Sequence, residues 1–240
     1  MTSTRLEVVP YAAGRLMDVH VPAAGTAGAA PSVLLWHGSG PNERDVLRPL
    51  AREAAGLGLL VLVPDWDAGQ PDGGRAELLA SLAGARRAAA GHGGDPARFV
   101  LAGWSLGGRE AIAVATHPDT PAELRPGAAV GIASHYSAAA VTTGDAPLDH
   151  LSAARSPVPL RLVHGTADEL VDVEHTRRLN AALTKQSSAV RTLELPTDHA
   201  GVVMTAYSPE ARRCLPATDP ATLAAGRRTA AVLAEAAGLS

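Results

Sequence analysis

The chain has 240 residues, of which 46% are hydrophobic and 19% are charged, and its formal net charge is −3. This length is enough to bury a sizeable core. The sequence holds no concentrated basic block of the kind that nucleic acids and anionic membranes attract, so neither is an expected partner.

The N-terminal 22 residues carry no recognisable secretory signal. They instead hold two alternating runs, RLEVV (5–9) and RLMDVHV (15–21), which predict a β-hairpin joined through residues 11–14. No apolar run reaches the roughly 20 residues that span a bilayer. With a lone cysteine, Cys214, that cannot form an intramolecular disulfide, these features favour a cytoplasmic protein in which this thiol is a bystander.

The rest of the chain alternates between short apolar runs and helix-length segments rich in Ala, Leu and Arg. The predicted strands are SVLLWH (32–37), LLVLVP (59–64), RFVLAGW (98–104), AAVGIAS (128–134), PLRLVHG (159–165) and VRTLELP (190–196). The predicted helices cover residues 43–56, 75–90, 106–116, 173–185 and 220–237. This order predicts an α/β fold with a mostly parallel sheet and an antiparallel edge from the hairpin, in a single domain over residues 1–240.

Polar residues cluster where the predicted strands end. They are His37-Gly38-Ser39-Gly40, Asp65-Trp66-Asp67, Trp104-Ser105, Ser134-His135-Tyr136, His164-Gly165-Thr166-Ala167-Asp168, and Asp198-His199. Because open α/β sheets bind ligands at the carboxyl ends of their strands, we expect the chemistry at this edge.

Ser105 stands in a Gly-x-Ser-x-Gly pattern between a predicted strand and a predicted helix. The pattern alone is weak, since a chain this rich in glycine and serine produces it by chance. Its context is more specific: Gly103 and Gly107 remove side chains that would crowd a sharp turn, and Gly108 lets the helix approach the sheet. Ser105 is therefore a candidate nucleophile.

A serine hydroxyl needs a base to take its proton, and His199, after the last predicted strand of the sheet, is the candidate. Asp168, one strand earlier, is the candidate carboxylate that orients this histidine, with Glu169 and Asp172 as local rivals. The order of nucleophile, acid and base along the chain and the shared strand-end position support one another.

Acyl transfer also requires donors for the developing oxyanion. The backbone N–H of Leu106, which follows the nucleophile, is one expected donor. The HGSG segment supplies the second, and we assign it to Ser39, with Gly38 and Gly40 as alternatives.

The motifs LLWHGSG, GWSLGG, HGTADELV and DHAG, in this order, resemble those of the α/β-hydrolase family over nearly the whole chain. The short chain and its C-terminal helix are most similar to the dienelactone hydrolase-like and small carboxylesterase branches. The resemblance implies a central sheet of about seven or eight strands and no cofactor. Dienelactone hydrolases proper have a cysteine at the position of Ser105, so serine esterase chemistry is favoured. Only about twenty residues, 136–157, occupy the place where larger members insert a lid.

The substrate contacts are less defined. Trp36, Trp66 and Trp104 each lie at the carboxyl end of a different predicted strand. We hypothesise that they line one side of a substrate pocket. The alternative is that they pack in the core. His135, also at a strand top, is a further candidate for substrate contact.

The sequence favours a serine hydrolase that cleaves a small-molecule carboxylic ester through an acyl-enzyme. Two alternatives stay open. The same residues serve a thioesterase or an acyltransferase/cyclase, and a hydrolase-fold protein can also bind a ligand without turnover. A metal hydrolase is disfavoured, because His164, Asp168 and His175 do not match a recognised ligand spacing.

Overall fold

The structure is a computed structural model and describes residues 4–23, 28–149, 151, 158–186 and 189–239. Its strands are β1 (Arg5–Ala12), β2 (Arg15–Val21), β3 (Ala30–Trp36), β4 (Leu60–Pro64), β5 (Gly94–Trp104), β6 (Ala128–Ile132), β7 (Leu160–Gly165), β8 (Val190–Leu195), β9 (Thr205–Ser208) and β10 (Arg213–Pro216). Its α-helices are α1 (Arg48–Gly56), α2 (Arg75–Gly91), α3 (Leu106–Thr116), α4 (Glu174–Lys185) and α5 (Pro220–Ala236).

Eight strands form one sheet in the order β1-β2-β4-β3-β5-β6-β7-β8. β1 pairs with β2 and β2 with β4 in antiparallel fashion, whereas all pairs from β4 to β8 are parallel. The prediction of a mostly parallel sheet of seven or eight strands with an antiparallel hairpin at its edge is confirmed. The parallel strands all end at the same edge, which brings the strand-end residues together.

Helices cover both faces of the sheet, and the alternation of side chains along β3 shows the two layers. Val33 and Leu35 pack in a cluster with residues of α1 and α5. Leu34 and Trp36 point to the opposite face and pack against residues of α2 and α3. Helix α4 lies on this second side, where Leu179 shares a cluster with residues of α3. Burial on both faces explains why these strands appear in the sequence as continuous apolar runs.

The predicted helix over residues 43–56 is divided in the structure. A 3₁₀ turn, Arg44–Leu47, precedes α1, which has Pro49 in its first turn. Proline has no N–H to donate to a preceding turn, so an α-helix begins at it rather than running through it.

Residues 150 and 152–157 of the segment 136–157 lie outside the described residues, as do residues 24–27 after β2. The described part of the segment is held onto α3 by Glu110, which has no exposed surface. The Glu110 carboxylate accepts the N–H of Val141 at 3.2 Å and the N–H and hydroxyl of Thr142 at 3.0 and 2.8 Å. A buried carboxylate on the helix behind Ser105 therefore fixes the position of this loop.

The β9–β10 hairpin, between His199 and α5, was not predicted. Its strands have four residues each and pair with one another outside the main sheet. None of the α-helices in the described ranges is long and apolar enough to cross a lipid bilayer.

Candidate active site

Ser105 occupies the tight turn between β5 and α3 and is partly exposed. Its backbone has φ +56° and ψ −123°, a conformation that costs an L-residue about 1–3 kcal/mol. The Ser105 N–H donates a hydrogen bond of 2.9 Å to the carbonyl oxygen of Ile132, the last residue of the neighbouring strand. The sheet therefore holds Ser105 in a strained turn directly above the end of β5.

Three glycines make this turn sterically possible. A Cβ on Gly103 would overlap the carbonyl group of Gly107, and a Cβ on Gly107 would overlap the carbonyl oxygen of His37. A Cβ on Gly108 would come within 2.9 Å of the Gly103 carbonyl oxygen. The prediction that these glycines clear space for the turn and allow the helix to approach the sheet is confirmed.

His199 and Asp168 meet beyond the ends of β8 and β7. Nδ1 of His199 lies 2.7 Å from Oδ2 of Asp168, and the Asp168 side chain has no exposed surface. An ionised carboxylate only accepts hydrogen bonds, so Nδ1 carries the proton and Nε2 is left as an acceptor. This is the tautomer that a general base for a serine hydroxyl requires.

The two acidic residues that the sequence left as rivals lie elsewhere. Asp172 accepts the backbone N–H of Glu174 at 2.9 Å, at the first residue of α4. Glu169 is exposed. The carboxylate in contact with His199 is that of Asp168.

Asp168 has further partners that keep it ionised. Its Oδ1 accepts the N–H groups of Leu170 and Val171 at 3.0 and 2.9 Å, and its Oδ2 lies 3.2 Å from Nε2 of His164. Burial alone would raise the pKa of Asp168, but the hydrogen bonds from His164, His199 and the Val171 N–H outweigh it and hold this pKa far below its ordinary value.

The sequence did not single out His164 as a partner of Asp168. Its side chain is fully buried, with Nδ1 at 2.7 Å from the Thr176 hydroxyl and Nε2 at 2.8 Å from the Val171 carbonyl oxygen. Nε2 therefore carries the proton and faces both this carbonyl and the Asp168 carboxylate. The sequence feature that could have indicated this contact is the position of His164, at the end of a buried strand and four residues before Asp168.

Trp104 links Ser105 to His199. Its indole N–H donates to the carbonyl oxygen of His199 at 2.9 Å, and the two rings lie 5.1 Å apart. Because Trp104 directly precedes Ser105, the serine turn and the histidine loop are held side by side. Among the described residues no hydrogen bond joins Ser105 to His199 itself.

The loop after β3 runs beside the serine turn. A Cβ on Gly38 would lie 3.4 Å from the Cβ of Ser105. Ser39, the next residue, is exposed. Leu106 is the first residue of α3, where a backbone N–H has no partner within the helix. The two backbone segments that the sequence named for an oxyanion hole therefore flank Ser105.

His37 anchors this loop from below. Its Nε2 accepts the N–H of Trp66 at 3.3 Å, its Nδ1 lies 3.0 Å from the Gly38 carbonyl oxygen, and its ring stacks on Trp66 at 5.2 Å. Burial lowers the pKa of His37 to about 4, so the ring is neutral at pH 7.

The tryptophan prediction is wrong for Trp36 and Trp66. Both have no exposed surface and pack in the core beneath α2, where the Trp36 indole N–H donates to the Ser81 hydroxyl at 2.8 Å. Trp104 packs in the core on the opposite face of the sheet. Because Trp36 and Trp104 lie on opposite faces of the sheet, the three rings cannot form one wall.

His135 lies just beyond the end of β6 and is partly exposed. Its Nε2 is 3.1 Å from a guanidinium nitrogen of Arg109, and its ring lies 5.6 Å from that of His175. Burial lowers the pKa of His135, and the charges of Arg109 and His175 add to this effect. Its contact with substrate stays a prediction.

A groove of about 430 Å³ opens beside His199; we call it the His199 groove. Its walls come from the loop after β7, the His199 loop and the β9–β10 hairpin. Among the residues that line it are Glu169, Leu170, Asp198, Ala200, Tyr207 and Cys214. Cys214 therefore lies in the wall of a groove that reaches the candidate base, and its expected lack of a chemical role stays a prediction.

No protein-family model matches the chain, and no curated protein matches it in sequence. Solved structures of esterase 2 from Thermogutta terrifontis are similar to it in fold. The butyrate-bound form of that esterase has a TM-score of 0.73 at 19% identity, covering 96% of this chain and 92% of that chain. The form phosphorylated by paraoxon has a TM-score of 0.72 at 18% identity, covering 97% and 92%. The chain therefore has the α/β-hydrolase fold.

Proposed function

We propose that the chain is a serine hydrolase that cleaves carboxylic esters, with Ser105 as nucleophile, His199 as base and Asp168 as the carboxylate that orients it. The observation that carries the proposal is the buried 2.7 Å contact between Asp168 and His199, which fixes the required tautomer beside a serine held in a strained turn.

In the first half-reaction, Nε2 of His199 accepts the Ser105 proton as Oγ attacks the ester carbonyl carbon. The resulting imidazolium is stabilised by Asp168, whose depressed pKa keeps it ionised. The tetrahedral intermediate collapses when the bond to the leaving oxygen breaks and His199 returns the proton to that oxygen. An alcohol is released and an acyl-enzyme remains. Water, deprotonated by His199, then releases the acid.

The N–H groups of Leu106 and Ser39 are the donors we assign to the oxyanion. Each such donor contributes roughly 3–4 kcal/mol to the transition state in comparable sites. The rigid backing of His37 and Trp66 beneath the loop supports this assignment, because a preorganised donor needs no rearrangement as charge develops. Every step uses groups of this chain, and we propose no cofactor.

The fold comparison agrees with the proposal. The similar esterase has been solved with butyrate and with propionate bound, and in forms phosphorylated or phosphonylated by organophosphates. For the present chain, a small-molecule ester is the proposed substrate.

The proposal is tested with three substrates that share one acyl group: a p-nitrophenyl ester, an alkyl ester and the matching alkyl thioester. An alkoxide leaves only when protonated, whereas a thiolate leaves unaided, so a poised His199 benefits the oxygen ester most. We expect release of the free acid from both esters. The ratio of kcat/KM for the alkyl ester to that for the thioester should exceed the ratio of their uncatalysed hydrolysis rates by about tenfold or more.

Assays with and without a chelator, and with an added alcohol acceptor, complete the design. Activity is expected to survive chelation. A ratio no higher than the uncatalysed one, transfer to the acceptor without acid release, or binding without turnover would each contradict ester hydrolysis and indicate one of the alternatives.

A further inference from the structure

We propose that the His199 groove binds the leaving alcohol of the ester and selects an apolar alcohol that bears no negative charge. This inference rests on the proposed function, and it adds the chemical class of one half of the substrate.

The position of His199 determines which half of the substrate lies here. When the tetrahedral intermediate collapses, the carbonyl carbon–oxygen bond breaks, its electron pair stays on the leaving oxygen, and the His199 proton moves to that oxygen. The leaving oxygen must therefore lie within hydrogen-bond reach of Nε2. A chain attached to that oxygen extends along His199, and the groove that His199 itself lines is the adjoining space.

The walls of the groove are suited to an apolar chain. Leu170 is 79% exposed and Tyr207 is 58% exposed, the two highest values among the exposed large hydrophobic residues of the described chain. They stand on separate segments, the loop after β7 and the hairpin. The backbone of Leu170 is fixed by its N–H bond of 3.0 Å to Asp168. An apolar group placed between these two side chains would remove exposed apolar surface from water.

The acidic residues of the His199 groove disfavour binding of an alcohol that carries a negative charge. Two acidic residues, Glu169 and Asp198, are among those that line the groove. The nearby cation Arg213 is already paired with Asp45 at 2.7 Å. Burial raises the pKa of the Cys214 thiol, and the negative charges of Glu43 and Asp198 add to this effect, against a hydrogen bond with Thr205 and the charge of Arg213. An alcohol that carries a carboxylate or phosphate would be repelled by the two acidic residues Glu169 and Asp198.

The first test varies only the alcohol of an ester with a constant short acyl group. We expect kcat/KM to rise about two- to fourfold per methylene from ethyl to hexyl. A hexyl-length alcohol that ends in a carboxylate should react at least about tenfold more slowly than the uncharged hexyl ester. Leu170→Ser should reduce the hexyl-to-ethyl ratio about fivefold or more, because it removes one apolar wall. Leu57→Ser, at an exposed leucine after α1, is the matched control and should keep the wild-type ratio.

The second test uses Cys214, the only cysteine in the sequence, as a handle inside the groove. A bulky alkyl methanethiosulfonate, attached at about pH 9 so that the thiolate forms, should bring the hexyl-to-ethyl ratio close to one. Cys214→Ala treated in the same way controls for other modification.

A separate experiment shows whether a negative result disproves the alcohol groove or the proposed function itself. Labelling of Ser105 by a small fluorophosphonate, with fluoride as its leaving group, tests the nucleophile without using the groove. If Ser105 is labelled but the alcohol series is flat, or if Leu170→Ser and the bulky thiol adduct leave the ratio unchanged, the groove does not bind the alcohol. If these changes alter selectivity for the acyl chain instead, the groove holds the other half of the substrate and the inference is overturned. If Ser105 is not labelled, the proposed function itself fails.

Discussion

Replacement of Ser105 by alanine is expected to lower kcat for ester hydrolysis by about five to six orders of magnitude, because the acyl-enzyme can no longer form. The protein should remain folded, since no hydrogen bond of the Ser105 hydroxyl holds the described structure together. Steady-state kinetics on a p-nitrophenyl ester, with circular dichroism and thermal unfolding of the same preparations, measure both outcomes.

A second variant, Ser105→Gly, tests the backbone strain at this position. It should be as inactive as Ser105→Ala but more stable by about 1 kcal/mol, because glycine adopts φ +56° without strain while gaining some entropy in the unfolded chain. That difference corresponds to about 2–4 °C in Tm for a chain of this size. An alanine variant that keeps more than about a hundredth of the wild-type kcat would contradict the assigned nucleophile.

Replacement of Asp168 by asparagine is expected to lower kcat by about three to four orders of magnitude. The amide would place an NH₂ donor opposite Nδ1 of His199, in place of the present acceptor at 2.7 Å. Nδ1 would then have to accept, and the proton would move to Nε2, where it prevents His199 from deprotonating Ser105. Asp172→Asn is the matched control, because asparagine also caps helices well, and it should keep activity within about twofold.

The same variant carries a stability prediction with a defined pH dependence. The folded pKa of Asp168 is depressed, so its ionisation stabilises the fold fully above the unfolded pKa of about 3.9. This contribution is lost as the pH falls from there through the folded pKa. The difference in unfolding free energy between wild type and Asp168→Asn should therefore shrink between about pH 5 and pH 3 in urea titrations. A difference that grows on acidification would refute the depressed pKa.

Much of the fold was predictable because burial on both faces of a parallel sheet produces continuous apolar runs. The strands β3 to β7 all overlap such runs, and α3 has the bounds that its composition indicated. The predicted strand over residues 190–196 also overlaps β8, although β8 is an edge strand with mostly exposed or half-buried side chains. The β9–β10 hairpin lacks this signal: its strands are short, largely exposed and pair only with one another. The groove that it completes was therefore invisible in the sequence.

The residues of the candidate site likewise divide into those that the sequence could predict and those that it could not. Ser105, Asp168 and His199 could be named because strand ends meet at one edge, and their order along the chain then limits the choices. The error over Trp36 and Trp66 arose because a strand-end position does not specify whether a side chain points up to the site or down into the core. His164 was missed because its importance depends on a contact with Asp168, which no spacing rule encodes.

The central claim is that Ser105 is a nucleophile activated by His199. Fluorophosphonate labelling followed by intact mass and peptide mapping, on wild type, Ser105→Ala and His199→Ala, tests it most directly. We expect one adduct on wild type, located at Ser105, none on Ser105→Ala, and labelling slowed by at least about a hundredfold on His199→Ala. An adduct at another residue, an equal adduct on Ser105→Ala, or no adduct on wild type would contradict it.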